Sequence, residues 1–184
     1  MSHSFKFSAE NHKKIKQILA KYPKDHPQSA VMPLLDLAQA QNDGWLSREA
    51  IAAIAELLQM PVIRVQEVAS FYTMYRLQPV GKTVIQVCTT TPCWLRGSDD
   101  LMKVCKTKLG IQPGETKNDI SLFEVQCLGA CVNAPIVQIN DAYIEDVNPE
   151  AFGRMLDDVI AGKPVKTGSM IGRVSSEPMK GSGS

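Results

Sequence analysis

Four cysteines stand in two close pairs, Cys88 and Cys93 in VCTTTPCWLRGS, then Cys127 and Cys131 in VQCLGACVNAP. Thiolates are soft metal ligands, and two such pairs brought together by a fold make a four-thiolate site. The residues inside each pair are small or stiff: Thr89, Thr90, Thr91 and Pro92 in the first, Leu128, Gly129 and Ala130 in the second. Linkers of this kind let backbone amides turn toward metal-bound sulfur, which stabilises a buried anionic centre.

The spacings are Cys-x4-Cys and Cys-x3-Cys. Structural zinc sites use tighter Cys-x2-Cys knuckles, whereas a Cys-x4-Cys hook recurs where ligands must span the two irons of a 2Fe-2S cluster. Spacing therefore favours iron and sulfide, with zinc and redox-active thiols as the alternatives. The fifth cysteine, Cys105, shares a predicted helix with Leu101, Val104 and Leu109 and reads as a small core residue. His3, His12 and His26 all precede the cysteines in polar stretches, which argues against a site mixing two histidines with two cysteines. Arg96, three residues after Cys93, either offsets the charge of an anionic cluster or pairs with Asp99 or Asp100 at the surface. No nucleophile–base pair, Gly-rich phosphate loop or distinctive carboxylate pair is present, so catalysis by this chain alone is not expected.

The elements that position the pairs follow from period. Each pair comes after a β-branched, strand-like run, KTVIQV before Cys88 and SLFEVQ before Cys127, which places both pairs on loops leaving strands. Between them a helix is predicted over about 97–109. IVQIN and AYIED, either side of Asn140-Asp141, read as an antiparallel hairpin, and a last helix follows over about 149–161. Upstream the period is helical: 8–21 with Ser8 as N-cap, 29–41, then a helix after Ser47, and another beginning at Pro61 with Val62, Val65, Val68 and Ala69 inward. The chain thus divides into a helical module over 1–78, a mixed-sheet domain over 82–162 and an extended tail over 163–184 rich in Gly, Ser and Lys.

Composition excludes several classes. With 20 basic and 19 acidic residues among 184, no net field favours nucleic acid or an anionic membrane surface. The stretch REAIAAIAELLQMPVIRVQEVASF has the outline of a helix-turn-helix, but Arg48, Arg64 and Arg76 are matched by Glu49, Glu56 and Glu67, leaving no basic reading face. A zinc-stabilised adaptor built on that segment is the alternative from a different class. No run reaches the roughly 20 apolar residues that span a bilayer. An odd cysteine count without a signal-peptide core points to a reducing compartment. The Lys-rich N-terminus lacks arginine and carries Glu10, which favours a bacterial, cytoplasmic chain over one with a mitochondrial transit peptide.

CTTTPCWLRGSDDLM and VQCLGACVNAPIVQIN closely resemble the thioredoxin-like 2Fe-2S subunits of NADH:quinone oxidoreductase, respiratory complex I. The resemblance extends upstream through YPKDHPQSAVMPLLDLAQAQNDGWLS and VQEVASFYTMY, so it covers the chain from about Tyr22 to the last predicted helix. It implies an α+β fold, a helical bundle followed by a thioredoxin-like ferredoxin domain with a small mixed sheet, and a cis proline at Pro135. It also implies one 2Fe-2S cluster on Cys88, Cys93, Cys127 and Cys131. By the same resemblance the chain is an electron carrier in a peripheral arm on the cytoplasmic side of the bacterial inner membrane, or the matrix side in a eukaryote, with no direct membrane insertion. NADH and FMN would be held by a partner subunit. Related modules in NAD-linked hydrogenases and formate dehydrogenases are the close alternative.

Overall fold

The computed structural model describes residues 5–174 and resolves two compact units, Met1–Val80 and Gly81–Ser184.

The first unit is helical. Helix α1 (Ala9–Leu19) is capped by Ser8, whose hydroxyl accepts from the Asn11 amide at 3.1 Å. A 3-10 turn over Pro27–Ala30 leads into α2 (Val31–Gln41). That segment differs from the single helix expected from residue 29. Pro27 opens the tighter turn, and Pro33 is tolerated in the first turn of α2 because its missing N–H has no intrahelical partner to lose. Helix α3 (Arg48–Leu58) is capped by Ser47, and α4 (Val62–Phe71) follows Pro61. Leu34, Leu35, Ala38, Ile51, Ile54, Ala55, Leu58, Val65 and Ala69 fill one core with Ile15 and Tyr75. Val62, expected inward, is exposed instead: it is in helical phase with Val65 and Ala69 but stands at the first position of α4, beyond the core those two residues reach.

The second unit is a six-stranded mixed sheet. Its strands are β1 (Thr83–Cys88), β2 (Thr116–Lys117), β3 (Ile120–Val125), β4 (Val137–Ile139), β5 (Ala142–Glu145) and β6 (Gly168–Ser169), in the spatial order β2-β3-β1-β4-β5-β6. Strands β1 and β3 run parallel, Val84 opposite Ser121 and Cys88 opposite Val125. The crossover joining them contains a short helix α5 (Thr91–Leu95) and then α6 (Ser98–Leu109). The β4–β5 hairpin turns at Asn140, whose positive φ of 52° suits an Asn-Asp turn. Helix α7 (Pro149–Ile160) is capped by Asn148 and packs with α6 over the sheet. Phe152, Leu156, Leu101 and Cys105 from the helices meet Ile85, Leu122, Val137 and Ile144 from the strands.

The tail departs from expectation. Residues 163–174 return to the sheet and supply its edge strand β6, parallel to β5. Low periodicity hid this, because a two-residue strand has no pattern to read. Residues 175–184 lie outside the described part.

Candidate metal centre

Because β1 and β3 are parallel neighbours, their C-terminal ends open on the same edge of the sheet, and the chain leaves each carrying thiols. Cys88 is the last residue of β1 and Cys127 lies two residues beyond β3. Cys93 sits on α5, not on a loop as expected. Thr90 precedes that helix with extended backbone and Pro92 occupies its first turn, so a single turn forms where too few residues existed to show a helical period. Cys131 opens a 3-10 turn over Cys131–Asn133.

Cys88 and Cys93 are buried, walled by Ala134 and Ile136 with Leu128, Ala130 and Tyr143 packed against them. Cys127 and Cys131 are exposed, their sulfurs 3.3 Å apart. Two sulfurs on one tetrahedral metal at ~2.3 Å would stand about 3.8 Å apart, so this pair is already close to the span of a single ion. The pairs are also in electrostatic reach of one another, since charge on Cys88 raises the proton affinity of both Cys127 and Cys131.

Proton affinity alternates within each pair. Burial pushes the Cys88 thiol up, but hydrogen bonds from Thr90 and from Cys93 outweigh it and leave Cys88 below the ordinary thiol value. Burial, and then the hydrogen bond with Cys88, push Cys93 up to about 12. Cys127 is lowered, first by the Gly129 amide, which donates to its sulfur at 3.4 Å. Cys131 is raised, first by its hydrogen bond with Cys127. Gly129 reaches that position with φ +81°, a conformation that side chains disfavour.

Among the described residues no three His, Cys, Asp or Glu side chains converge as a preformed site for one ion. The four sulfurs stand as two pairs, one under an apolar wall, and are the residues that could hold an iron–sulfur cluster. The other residues singled out in the sequence take separate places. Cys105 is buried on α6, and burial pushes its thiol up to about 12. Arg96 is exposed and does not take the surface pairings considered for it: Asp99 accepts from the Trp94 indole at 3.1 Å and Asp100 pairs with Lys103. It lines a shallow depression with Pro92, Cys131 and Arg173. The Ala134–Pro135 bond is cis. His12 lies against Phe7 and His26 beside Asp25, both in the helical unit, and His3 falls outside the described residues.

Three contributors had no separate signal in the sequence. The Thr90 hydroxyl lies 3.2 Å from the Cys88 sulfur. Tyr143 donates its hydroxyl to the Leu128 carbonyl at 2.7 Å, bracing the second cysteine loop from β5. Arg173 reaches the Val132 carbonyl at 2.9 Å from the far end of the chain. Only Thr90 stands in a motif, where the run of three threonines between two cysteines marks it.

A profile of the thioredoxin-like [2Fe-2S] ferredoxin family matches residues 15–160. The chain belongs to that family. Its cofactor is one [2Fe-2S] cluster. The chain is 57% identical over 156 residues to a protein of Rickettsia bellii named as a subunit of NADH-quinone oxidoreductase, covering 84% of this chain and 93% of the relative. It is 49% identical over 179 residues to the Dictyostelium discoideum protein named NADH dehydrogenase [ubiquinone] flavoprotein 2, mitochondrial, covering 96% and 72% of the two chains. Identities of this size over most of both chains place it in one family with these named NADH-quinone oxidoreductase and NADH dehydrogenase subunits. An NAD+-reducing [NiFe]-hydrogenase crystal structure shares the fold with a TM-score of 0.60 at 23% identity, over 71% of this chain and 23% of that one.

Two of the three arginines in and just after the helix-turn-helix outline of α3 and α4 are engaged within the chain. Arg64 pairs with Glu67 at 2.9 Å, and Arg76 donates to the Gly44 carbonyl at 3.2 Å. No helix among the described residues is long and apolar enough to cross a membrane.

Proposed function

We propose that this ferredoxin-like chain holds its cluster through Cys88, Cys93, Cys127 and Cys131, and that it exchanges single electrons with the FMN of a partner NADH-binding subunit. The carrying observation is that parallel β1 and β3 deliver both thiol pairs to one edge of the sheet. A [2Fe-2S] cluster accepts and returns one electron at a time. Cys88 and Cys93 anchor its inner side beneath Ile136 and Ala134, where water is excluded. Cys127 and Cys131 hold the outer side, and electrons enter there.

Hydride chemistry belongs to the partner, because the chain carries no Gly-rich dinucleotide loop. Beside Cys131, Leu95 and Val132 are large, apolar and 70% and 55% exposed, and Trp94, next to Cys93 in the chain, is 56% exposed. Such a patch beside a redox centre suits the docking of another subunit. The identities to quinone oxidoreductase subunits favour that complex over the diaphorase of a hydrogenase or formate dehydrogenase. The same reading puts the chain in a peripheral arm on the cytoplasmic or matrix side of the membrane.

Anaerobic purification with iron, sulfide and zinc measured on one sample tests the ligand set. About two irons and two sulfides are expected, with an electron paramagnetic resonance signal only after reduction. Cys127→Ala should lose the cluster and Cys105→Ala keep it; equal loss in both overturns the assignment. Zinc without sulfide in the wild-type chain would return the regulatory adaptor. Co-purification of a flavin-binding subunit tests the partner.

A further inference from the structure

After α7 the chain runs back along β5, and Met170 donates its amide to the Glu145 carbonyl at 2.9 Å. This strap carries Arg173 onto the loop that bears Cys131. Nη2 of Arg173 donates to the Val132 carbonyl at 2.9 Å, and Nε donates to Asp146 Oδ2 at 3.2 Å. A second, shorter contact joins Nη2 to Asp146 Oδ1.

Asp146 is itself built in. Its side chain is only 2% exposed and takes a hydrogen bond from the Ser169 hydroxyl at 2.7 Å. Its amide donates to the Asn133 carbonyl at 2.7 Å, and the Asn133 side chain donates to Glu145 at 2.6 Å. Burial raises the Asp146 carboxyl, but the Arg173 and Ser169 hydrogen bonds outweigh it and keep it below its usual range. A buried carboxylate thus stands near Cys131 with the guanidinium as its counter-charge. Arg173, Arg96 and Cys131 line the same depression.

We infer that Arg173 is a positioning and charge-setting residue for the cluster: it ties down the Cys131 loop and holds the reduction potential up. This rests on the four-cysteine assignment above. Reduction adds a negative charge to the cluster, so nearby positive charge favours it. Without the guanidinium, Asp146 is left buried and uncompensated, and the Val132 carbonyl loses its donor. Both changes act against the added electron. A strap that only completed the fold would alter how long the cluster survives and leave its potential unmoved.

The test is a redox titration followed by electron paramagnetic resonance on the full-length reconstituted chain, with chelator-driven cluster loss measured alongside. Arg173→Met should lower the midpoint potential and speed cluster loss several-fold. Arg173→Lys, which keeps the charge but not the planar fork, should restore most of the potential while still losing the cluster faster than wild type. Combining Arg173→Met with Asp146→Asn removes both charges and should bring the potential back toward wild type. If Arg173→Met cannot hold a cluster, alkylation of Cys131 in the cluster-free chain should be several-fold faster than in wild type. A wild-type potential in Arg173→Met, or unchanged alkylation where no cluster forms, overturns the inference alone. A wild-type chain that takes up no cluster overturns the ligand assignment and this inference with it.

Discussion

Cys105 and Cys93 are both buried thiols pushed up to about 12, yet only one has company. Cys105 shares an apolar core with Leu101, Phe152 and Leu156, and burial there outweighs the one backbone hydrogen bond that favours losing its proton. Cys93 has Cys88 against it, and within each pair one thiol is lowered and one raised. Metal takes the thiolate form, so filling the site must expel the protons the thiols hold, that of Cys93 held most tightly. Metal affinity of the cluster-free chain should therefore rise with pH through the neutral range. Titration with cobalt in buffers of different ionisation heat would count the protons released, and a pH-independent affinity would contradict the proposed ligands. The ligand candidates and the core role of Cys105 were legible from spacing and helical phase. The Gly129 amide turned toward sulfur is what the small linker residues led one to expect; the Thr90 hydroxyl and Arg173 were not legible, because their roles depend on which way a turn points.

At the scale of elements, the site depends on how closely the start of β1 approaches the turn before β3. Gly81 donates its amide to the buried Ser121 hydroxyl at 2.8 Å. A Cβ there would fall 2.3 Å from the Asp119 carbonyl, which is backbone and cannot rotate away. Gly81→Ala should therefore cost at least about 1–3 kcal/mol, as overpacking does, read as a lower urea midpoint with unchanged slope. A stability equal to wild type would mean that β1 and β3 tolerate separation there. Strand period, the β4–β5 hairpin and the caps at Ser8 and Ser47 all showed in the sequence. Helix α5 and strand β6 did not, being too short to carry a period, though one holds Cys93 and the other leads to Arg173.

At the scale of the whole molecule, every proposed ligand and every residue found to brace one lies in the second unit, after Val80. A fragment over 79–184 should fold and take up iron and sulfide at the stoichiometry of the full chain, while losing capture of its partner subunit if the helical unit serves docking. A soluble fragment that takes up no iron would show that the helices are needed for assembly. The sequence by itself determined the thiol pairs, the change from helical to strand period near residue 80 and the family, because each is written in local spacing. The tertiary structure alone decided that both pairs open on one edge of the sheet, which pair is buried, and that Arg173 returns 41 residues along the chain to the Val132 carbonyl. Burial and electrostatic field are sums over neighbours in space, and residues distant in the chain become neighbours only when parallel pairing and an edge strand fold them together.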